Sequence, residues 1–352
     1  MPRPGAPKQA HLPDKKSLLQ TEISHIDITS FDARSIIDKM GQMSFSSRDL
    51  SRACSIFNRM LKDRQSTIVL SIAGSTQAAG CMQLYADMIK YNMVDAVVAT
   101  GASLVDMDFF EACGYKHYRA EKILDDQVLR EYYVDRIYDT YIDEVELTLL
   151  DHVICDIANE LPPVPMTSRG FLAEMGRWLA DGHAKKSDSL LELAYKHHVP
   201  VFCPAFSDCA AGFGLMQHQI ARPKQCVTID SVGDFRELSQ IMLESERSGL
   251  FIVGGGVPKN FSQDAIIGIE KFGKPPGMHR YAIQVTVADA RDGALSGSTL
   301  KEACSWGKVD TVYEQMVFAE ATTVVPLIVS DAYHRGYWKD RKPRHFSKLF
   351  HE

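Results

Sequence analysis

The sequence predicts an α/β fold: a doubly wound, mostly parallel sheet of Rossmann-like type with extra helices. Two observations predict it. Short apolar runs of strand length alternate with stretches of helical spacing, and the runs end at glycine or other small residues. That repetition of strand, glycine turn and helix is the signature of βαβ units. The chain has 352 residues, 45% of them hydrophobic, and so can bury a large core.

Each element follows from its residues. Met1 to about Lys16 carries Pro2, Pro4, Pro7 and Pro13 among basic residues and is expected to be a flexible arm. Residues 17–340 are expected to form one α/β domain, and 341–352 a C-terminal tail. Ile36 to Leu61 reads as two helices broken near Gly41 to Ser47, with Met60 and Leu61 in the core. Thr67 to Ile72 is a buried strand ending near Gly74. Gln77 to Tyr91 is helical, and Asp95 to Thr100 is the next strand. The charged middle, Tyr118 to Lys186, is broken by Pro162, Pro163 and Pro165; it reads as a mainly helical insertion. Strands follow at Val199 to Ala205, Gln225 to Ile229, Gly249 to Val253, Tyr281 to Val287 and Val312 to Phe318. Helices are expected at Gly212 to Ile220, Asp234 to Arg247 and Thr323 to about His334.

Composition excludes several functions. The net charge is −6, and no long basic run is present, which argues against nucleic acid. An acidic surface is compatible with a cationic substrate. The eight cysteines are scattered, without CxxC or zinc spacing, and read as reduced core residues of a cytoplasmic protein. His197-His198 and the other histidines lack metal-ligand spacing. No apolar stretch is long enough to span a membrane, and the N-terminus lacks the apolar core of a signal peptide.

In open α/β sheets ligands bind outside the carboxyl ends of the strands. Four predicted strand ends carry small or acidic residues: Ser71 to Ser75, Thr100 to Asp106, Asp208, and Gly254 to Gly256. Glycine lets a phosphate approach the backbone, and a following helix N-terminus favours the anion. The triple glycine is not GxGxxG, and a plain tight turn explains it as well. Asp106 and Asp208 suit either ribose hydroxyls or helix N-caps.

The stretch Gln284 to Lys308, QVTVADARDGALSGSTLKEACSWGK, leaves an apolar strand, crosses an acid-bearing loop with Asp289 and Asp292, and enters a short helix. Glu302 lies in that helix, and Trp306 stands two residues before Lys308. A partly desolvated amine beside an indole is the setting in which a lysine becomes a nucleophile. A surface lysine just past a helix C-terminus is the other reading.

The run Glu302-Ala-Cys-Ser-Trp306-Gly-Lys308 resembles the signature of deoxyhypusine synthase. Thr100-Gly-Ala-Ser, Pro204-Ala-Phe-Ser-Asp208 and Gly254-Gly-Gly-Val257 fall in the same order as that family's nucleotide-binding segments. The resemblance spans about Ile68 to Ala332 and implies NAD as cofactor. Contacts are implied at Ser75, Thr100, Gly101, Asp106, Asp208, Gly254, Gly255, Asp292 and Glu320. It implies a homotetramer with sites shared between subunits. It also implies aminobutyl transfer: spermidine is oxidised to an imine, Lys308 captures the four-carbon fragment, and an acceptor amine takes it. Trp306 and Glu302 would then hold the substrate.

The sequence departs from the family at the far end of the pocket. Phe213 replaces an aspartate, Asn260 a histidine and Leu295 an acid; Glu320 replaces a shorter acid and Ala78 a serine. Imine chemistry with an altered donor or acceptor is the expectation. Phe213 is read either as a wall that stacks on a planar guanidinium or as ordinary core with another acid compensating. Agmatine and putrescine join spermidine as candidates. The expected products are a small polyamine, as in a homospermidine synthase, or a guanidino analogue. A protein lysine as acceptor, or a net NAD-dependent amine oxidoreductase, is the alternative.

Overall fold

The computed structural model describes residues 14–350; residues 1–13 of the expected arm and the last two of the expected tail lie outside it. In chain order the strands are β1 (Ser66–Ile72), β2 (Ala96–Ala99), β3 (His117–Arg119), β4 (Val134–Ile137), β5 (Thr140–Asp143) and β6 (Pro165–Met166). They continue with β7 (Val201–Phe202), β8 (Thr228–Ile229), β9 (Arg247–Val253), β10 (His279–Thr286) and β11 (Val309–Phe318). Six of them form the central sheet in the order β11-β10-β9-β1-β2-β7, and every pairing in it is parallel.

The sheet is buried on both faces, which is why its strands read as apolar runs rather than alternating ones. Alternate residues of β1 serve different cores. Ile68, Leu70 and Ile72 pack with Phe57, Met60 and Phe251 on one side. Val69 packs with Leu238, Ile241, Leu250 and Ile252 on the other. The first face is covered by the helices Phe45–Lys62 and Ala321–Arg335, the second by Ser231–Leu243 and Gly256–Gly268. From β1 the chain fills β2 and β7 on one side. It then returns to β9 on the other side of β1 and continues outward through β10 and β11. The winding direction therefore reverses between β1 and β9.

Several elements differ from expectation. The stretch 118–186 carries its long helices, Glu144–Glu160 and Ser168–Trp178, in its second half, and only the short helix Asp126–Glu131 in its first. Its first half builds a three-stranded antiparallel sheet, β3-β5-β4. β8 pairs with β6 outside the central sheet. The helix expected at Asp234 to Arg247 is Ser231–Leu243, and Arg247 opens β9. Residues 341–350 pack into the body instead of trailing. Arg341 makes a buried ion pair with Asp95 at 2.5 Å, and Phe346 is buried. All eight cysteines are free thiols. Among the described residues no helix is long and apolar enough to cross a membrane.

Candidate active site

The reversal between β1 and β9 is where this architecture opens a crevice for ligands. A cavity of about 840 Å³ lies there. It is lined by Gly74 and Ser75 after β1, Gly254 and Gly255 after β9, Val287 after β10 and Glu320 after β11. The hairpin tip at Tyr138 and Asp139, from the antiparallel sheet, forms another wall. Gly254 has φ +74°, a left-handed conformation that favours glycine. A side chain on Gly255 would strike Ser296 Cα at 2.5 Å. The helix Gly256–Gly268 starts directly after this turn; in its first turn the Gly256 N–H donates to Ser296 Oγ, Pro258 has no N–H, and Lys259 N–H bonds the Gly255 carbonyl.

The predicted cofactor residues divide into two groups. Ser75, Gly254, Gly255 and Glu320 line the cavity. Thr100, Gly101, Asp106 and Asp208 gather beside it, at the end of β2. Thr100 Oγ1 lies 3.0 Å from Ser103 Oγ, which donates to the Gly74 carbonyl. Gly101 packs so closely on Cys209 that a Cβ would come within 2.4 Å of its sulfur. Asp106 accepts the Ala210 N–H at 2.8 Å, and burial pushes its carboxyl up to about 7. Asp208 is exposed in the neighbouring turn. Two acids also act as local caps. Glu320 accepts from Thr322 N and Thr323 N at the start of Ala321–Arg335, and Asp292 accepts from Ala294 N.

Lys308 does not line this cavity and stands toward the opposite edge of the sheet. It immediately precedes β11, at the amino edge of the sheet, and its carbonyl accepts the His279 N–H. The preceding helix Leu300–Ser305 starts at Thr299, whose hydroxyl caps Glu302 N. It ends in a Schellman motif: Gly307 N bonds Cys304 O at 2.9 Å and Lys308 N bonds Ala303 O at 3.0 Å. Gly307 takes φ +71° to make that turn. The motif leaves Trp306 exposed and swings Lys308 inward, where 14% of its side chain is accessible.

The amine then enters a closed ring of three side chains. Lys308 Nζ is 2.7 Å from Asp264 Oδ1 and donates to Asn260 Oδ1 at 3.0 Å. Asn260 Nδ2 donates to the other Asp264 oxygen at 2.8 Å. This fixes the Asn260 amide, since a flipped group would set N–H against an ammonium. The ammonium also lies 5.3 Å from the Trp306 ring centroid, within cation–π range. Asn260 is four residues, about 6 Å, along the helix from Gly256.

Lys259, beside Asn260, was not anticipated. It is 1% exposed. Its Nζ donates to the Leu295 carbonyl at 3.0 Å and to the Ser298 carbonyl. Burial pushes this amine down to about 8; Glu302 opposes the shift and the Lys308 charge adds to it. Lys259 thus pins the loop that carries Ser296, whose hydroxyl accepts the Gly256 N–H and which lines the cavity. Gln284 holds the same loop, donating to the Gly254 and Ser296 carbonyls.

Of the predicted substrate residues, Asn260 and Trp306 surround Lys308, while Glu302 and Leu295 belong to the Lys259 environment. Phe213 lies elsewhere. It is 58% exposed and lines a different groove with Phe206, Met216 and Gln219. Asp264 is the other residue sequence reading passed over. Its signal was the i, i+4 spacing from Asn260 on a helix opening at the triple glycine.

A family model described as deoxyhypusine synthase matches residues 35–332. A deoxyhypusine synthase-like protein of Coxiella burnetii is 63% identical over 336 residues, covering 96% of each chain. One from Caulobacter vibrioides is 60% identical over 339 residues, covering 96% of this chain and 92% of that one. A crystal structure provisionally assigned as an Entamoeba histolytica deoxyhypusine synthase has a TM-score of 0.58 at 19% identity, covering 89% of this chain and 97% of that one. At that identity the likeness concerns the fold.

Proposed function

The chain belongs to the deoxyhypusine synthase family, and from that premise we propose an NAD-dependent transferase of alkyl groups. It moves a four-carbon amine fragment, aminobutyl or guanidinobutyl, from a polyamine to an acceptor amine through an imine on Lys308. The observation that carries this reading is the Lys308 amine. It is partly accessible, faces an indole, and is hydrogen-bonded to a helix that begins at the glycine turn of the switch-point cavity.

The residues present fit NAD. Gly254 and Gly255, with the N-terminus of Gly256–Gly268, suit a pyrophosphate; Glu320 and Asp139 offer carboxylates to ribose hydroxyls from opposite walls. Bound NAD supplies the hydride acceptor for oxidation of the donor amine and returns the hydride at the end. The protein's own part is to orient and to capture. Trp306 offers a ring face to a cationic or planar substrate nitrogen. Glu302 anchors a second cation. Lys308, once neutral, attacks the oxidised carbon and holds the fragment until the acceptor arrives.

Phe213 and Leu295 remove carboxylates, and Asn260 a titratable imidazole, from the family's pocket, which favours a small amine acceptor such as putrescine and donors such as agmatine. Phe213 meets Lys308 only if a second copy of the chain brings it there. Its helix exposes Phe213, Met216 and Ile220 at i, i+3 and i+7, a stripe suited to a subunit contact. A cytoplasmic homotetramer is therefore part of the reading.

The test compares wild type with Lys308→Arg, following NADH absorbance and product mass with spermidine, agmatine and putrescine. Arginine keeps the charge but forms no imine under these conditions. Transfer should fall by orders of magnitude while NAD still stabilises the protein. A wild type that accumulates NADH in step with product would be a net oxidoreductase, and unchanged transfer in the variant would end the lysine mechanism.

A further inference from the structure

We infer that Asp264 is the proton acceptor and donor for Lys308, a role that rests on the lysine-imine reading and that Asn260 cannot fill. Asn260 is the fifth residue of Gly256–Gly268, yet an amide does not exchange protons near neutral pH. One helical turn further, Asp264 places a carboxylate oxygen 2.7 Å from Lys308 Nζ, the atom that must lose a proton before it attacks. That distance is within the reach required of a general base.

The geometry separates the two oxygens of Asp264. Oδ1 faces the ammonium, while Oδ2 accepts the Asn260 amide at 2.8 Å. Asn260 in turn accepts from Lys308 at 3.0 Å. It therefore positions the pair, with its carbonyl toward the lysine and its N–H₂ toward the carboxylate. A third of the Asp264 side chain is accessible, 33% against 14% for Lys308, so the acid communicates with water as well as with the amine.

The steps balance without another reagent. Lys308–NH₃⁺ gives one proton to Asp264 Oδ1, leaving a neutral amine and a carboxylic acid. The nitrogen lone pair attacks the electrophilic carbon of an oxidised substrate, forming a C–N bond. The lysine nitrogen gives up a second proton to the departing nitrogen, Asp264 returns the first proton there, and the C–N bond breaks, so the departing amine takes both protons and Asp264 ends as a carboxylate. With an aldehyde in place of the substrate imine, the departing group is water. The lysine imine releases its fragment to the acceptor by the same steps in reverse.

The test isolates this proton transfer from the hydride step. Purified protein is incubated without NAD with 4-aminobutanal and cyanoborohydride, and the adduct on the Lys308 peptide is followed by mass spectrometry from pH 6 to 9. Asp264→Asn keeps the shape but not the base, and its single carbonyl oxygen can accept from Lys308 or from Asn260, not from both. Its trapping rate should fall about 100-fold, the lower end of general acid–base contributions. Asp264→Glu, which retains a carboxylate, should recover to within about tenfold of wild type.

A purely electrostatic role predicts the opposite sign. Loss of the carboxylate would free the amine from the partner that favours its charged form and so speed trapping. Equal or faster trapping in Asp264→Asn overturns the assignment. Unfolding is controlled by the urea midpoint of each variant; a slow variant with a wild-type midpoint upholds the assignment, and one slowed only in proportion to lost folded protein refutes it. Wild type that labels other lysines but not Lys308 defeats the lysine-imine reading itself, whereas good wild-type labelling with an unimpaired Asn variant defeats only the role of Asp264.

Discussion

Replacing Lys259 with methionine tests whether the buried amine pins the loop beside the cavity at the cost of an unfavourable charge. The ordinary lysine value is 10.5, and burial brings Lys259 to about 8. At about 1.4 kcal/mol for each tenfold change, the gap amounts to about 3 kcal/mol. Between those two pH values the unfolded chain still binds a proton that the folded chain has released. Unfolding free energy therefore rises with pH in that window, by up to about 3 kcal/mol for this one group. Below pH 8 both states hold the proton, and the full penalty is present. Methionine carries no charge, so the variant lacks the rise. It also leaves the Leu295 and Ser298 carbonyls without their donor, a loss of about 1–3 kcal/mol that does not vary with pH. The assay is urea unfolding of both proteins from pH 7 to 10.5, reading the difference in free energy so that other titrating groups cancel. The stability of wild type relative to the variant should grow by about 3 kcal/mol across the range. A difference that stays flat, or shrinks with pH, would refute the reasoning.

Two further changes probe the architecture. Gly255→Ala places a Cβ 2.5 Å from Ser296 Cα; the loop must shift, and NAD affinity by calorimetry should fall at least tenfold, while unchanged affinity would remove this turn from the cofactor site. Arg341→Ala strands the buried Asp95 carboxylate, whose Oδ2 also accepts the Ile68 N–H at 2.7 Å. A loss of about 3–5 kcal/mol in urea unfolding is expected, and a loss below about 0.5 kcal/mol would mean that residues 341–350 are not part of the folded body.

The central sheet was legible because its strands are buried on both faces and end in small residues. Ile68 to Ile72, Leu250 to Val253 and Ala282 to Val285 are each continuous buried runs, and each runs into the crevice edge. The antiparallel sheet was not legible. Its strands span three or four residues, one face is partly solvated, and charged residues such as Arg119, Asp135 and Arg136 break the apolar pattern. The tail misled because Arg341 looks like any terminal basic residue until Asp95 is seen opposite it.

At the site, the switch-point rule finds the cavity but not the lysine, because Lys308 comes from the amino edge of the sheet. The SWGK run was readable through its resemblance to the family signature; the Schellman turn that requires its glycine and exposes its tryptophan is seen only in the fold. Lys259 and Asp264 went unread for a different reason. Lysine and aspartate on a helix ordinarily face water, and only the fold reveals that Lys259 is enclosed and that Asp264 meets an amine 44 positions away. Phe213 was read into the substrate pocket, and in the single chain it opens onto another groove.

The central claim is that Lys308 carries the transferred fragment. Borohydride added during turnover with NAD and spermidine, followed by peptide mass spectrometry, tests it most directly. A stable aminobutyl adduct confined to the Lys308 peptide, and absent without NAD, is the predicted result. Product accumulating with no adduct at Lys308 would contradict it.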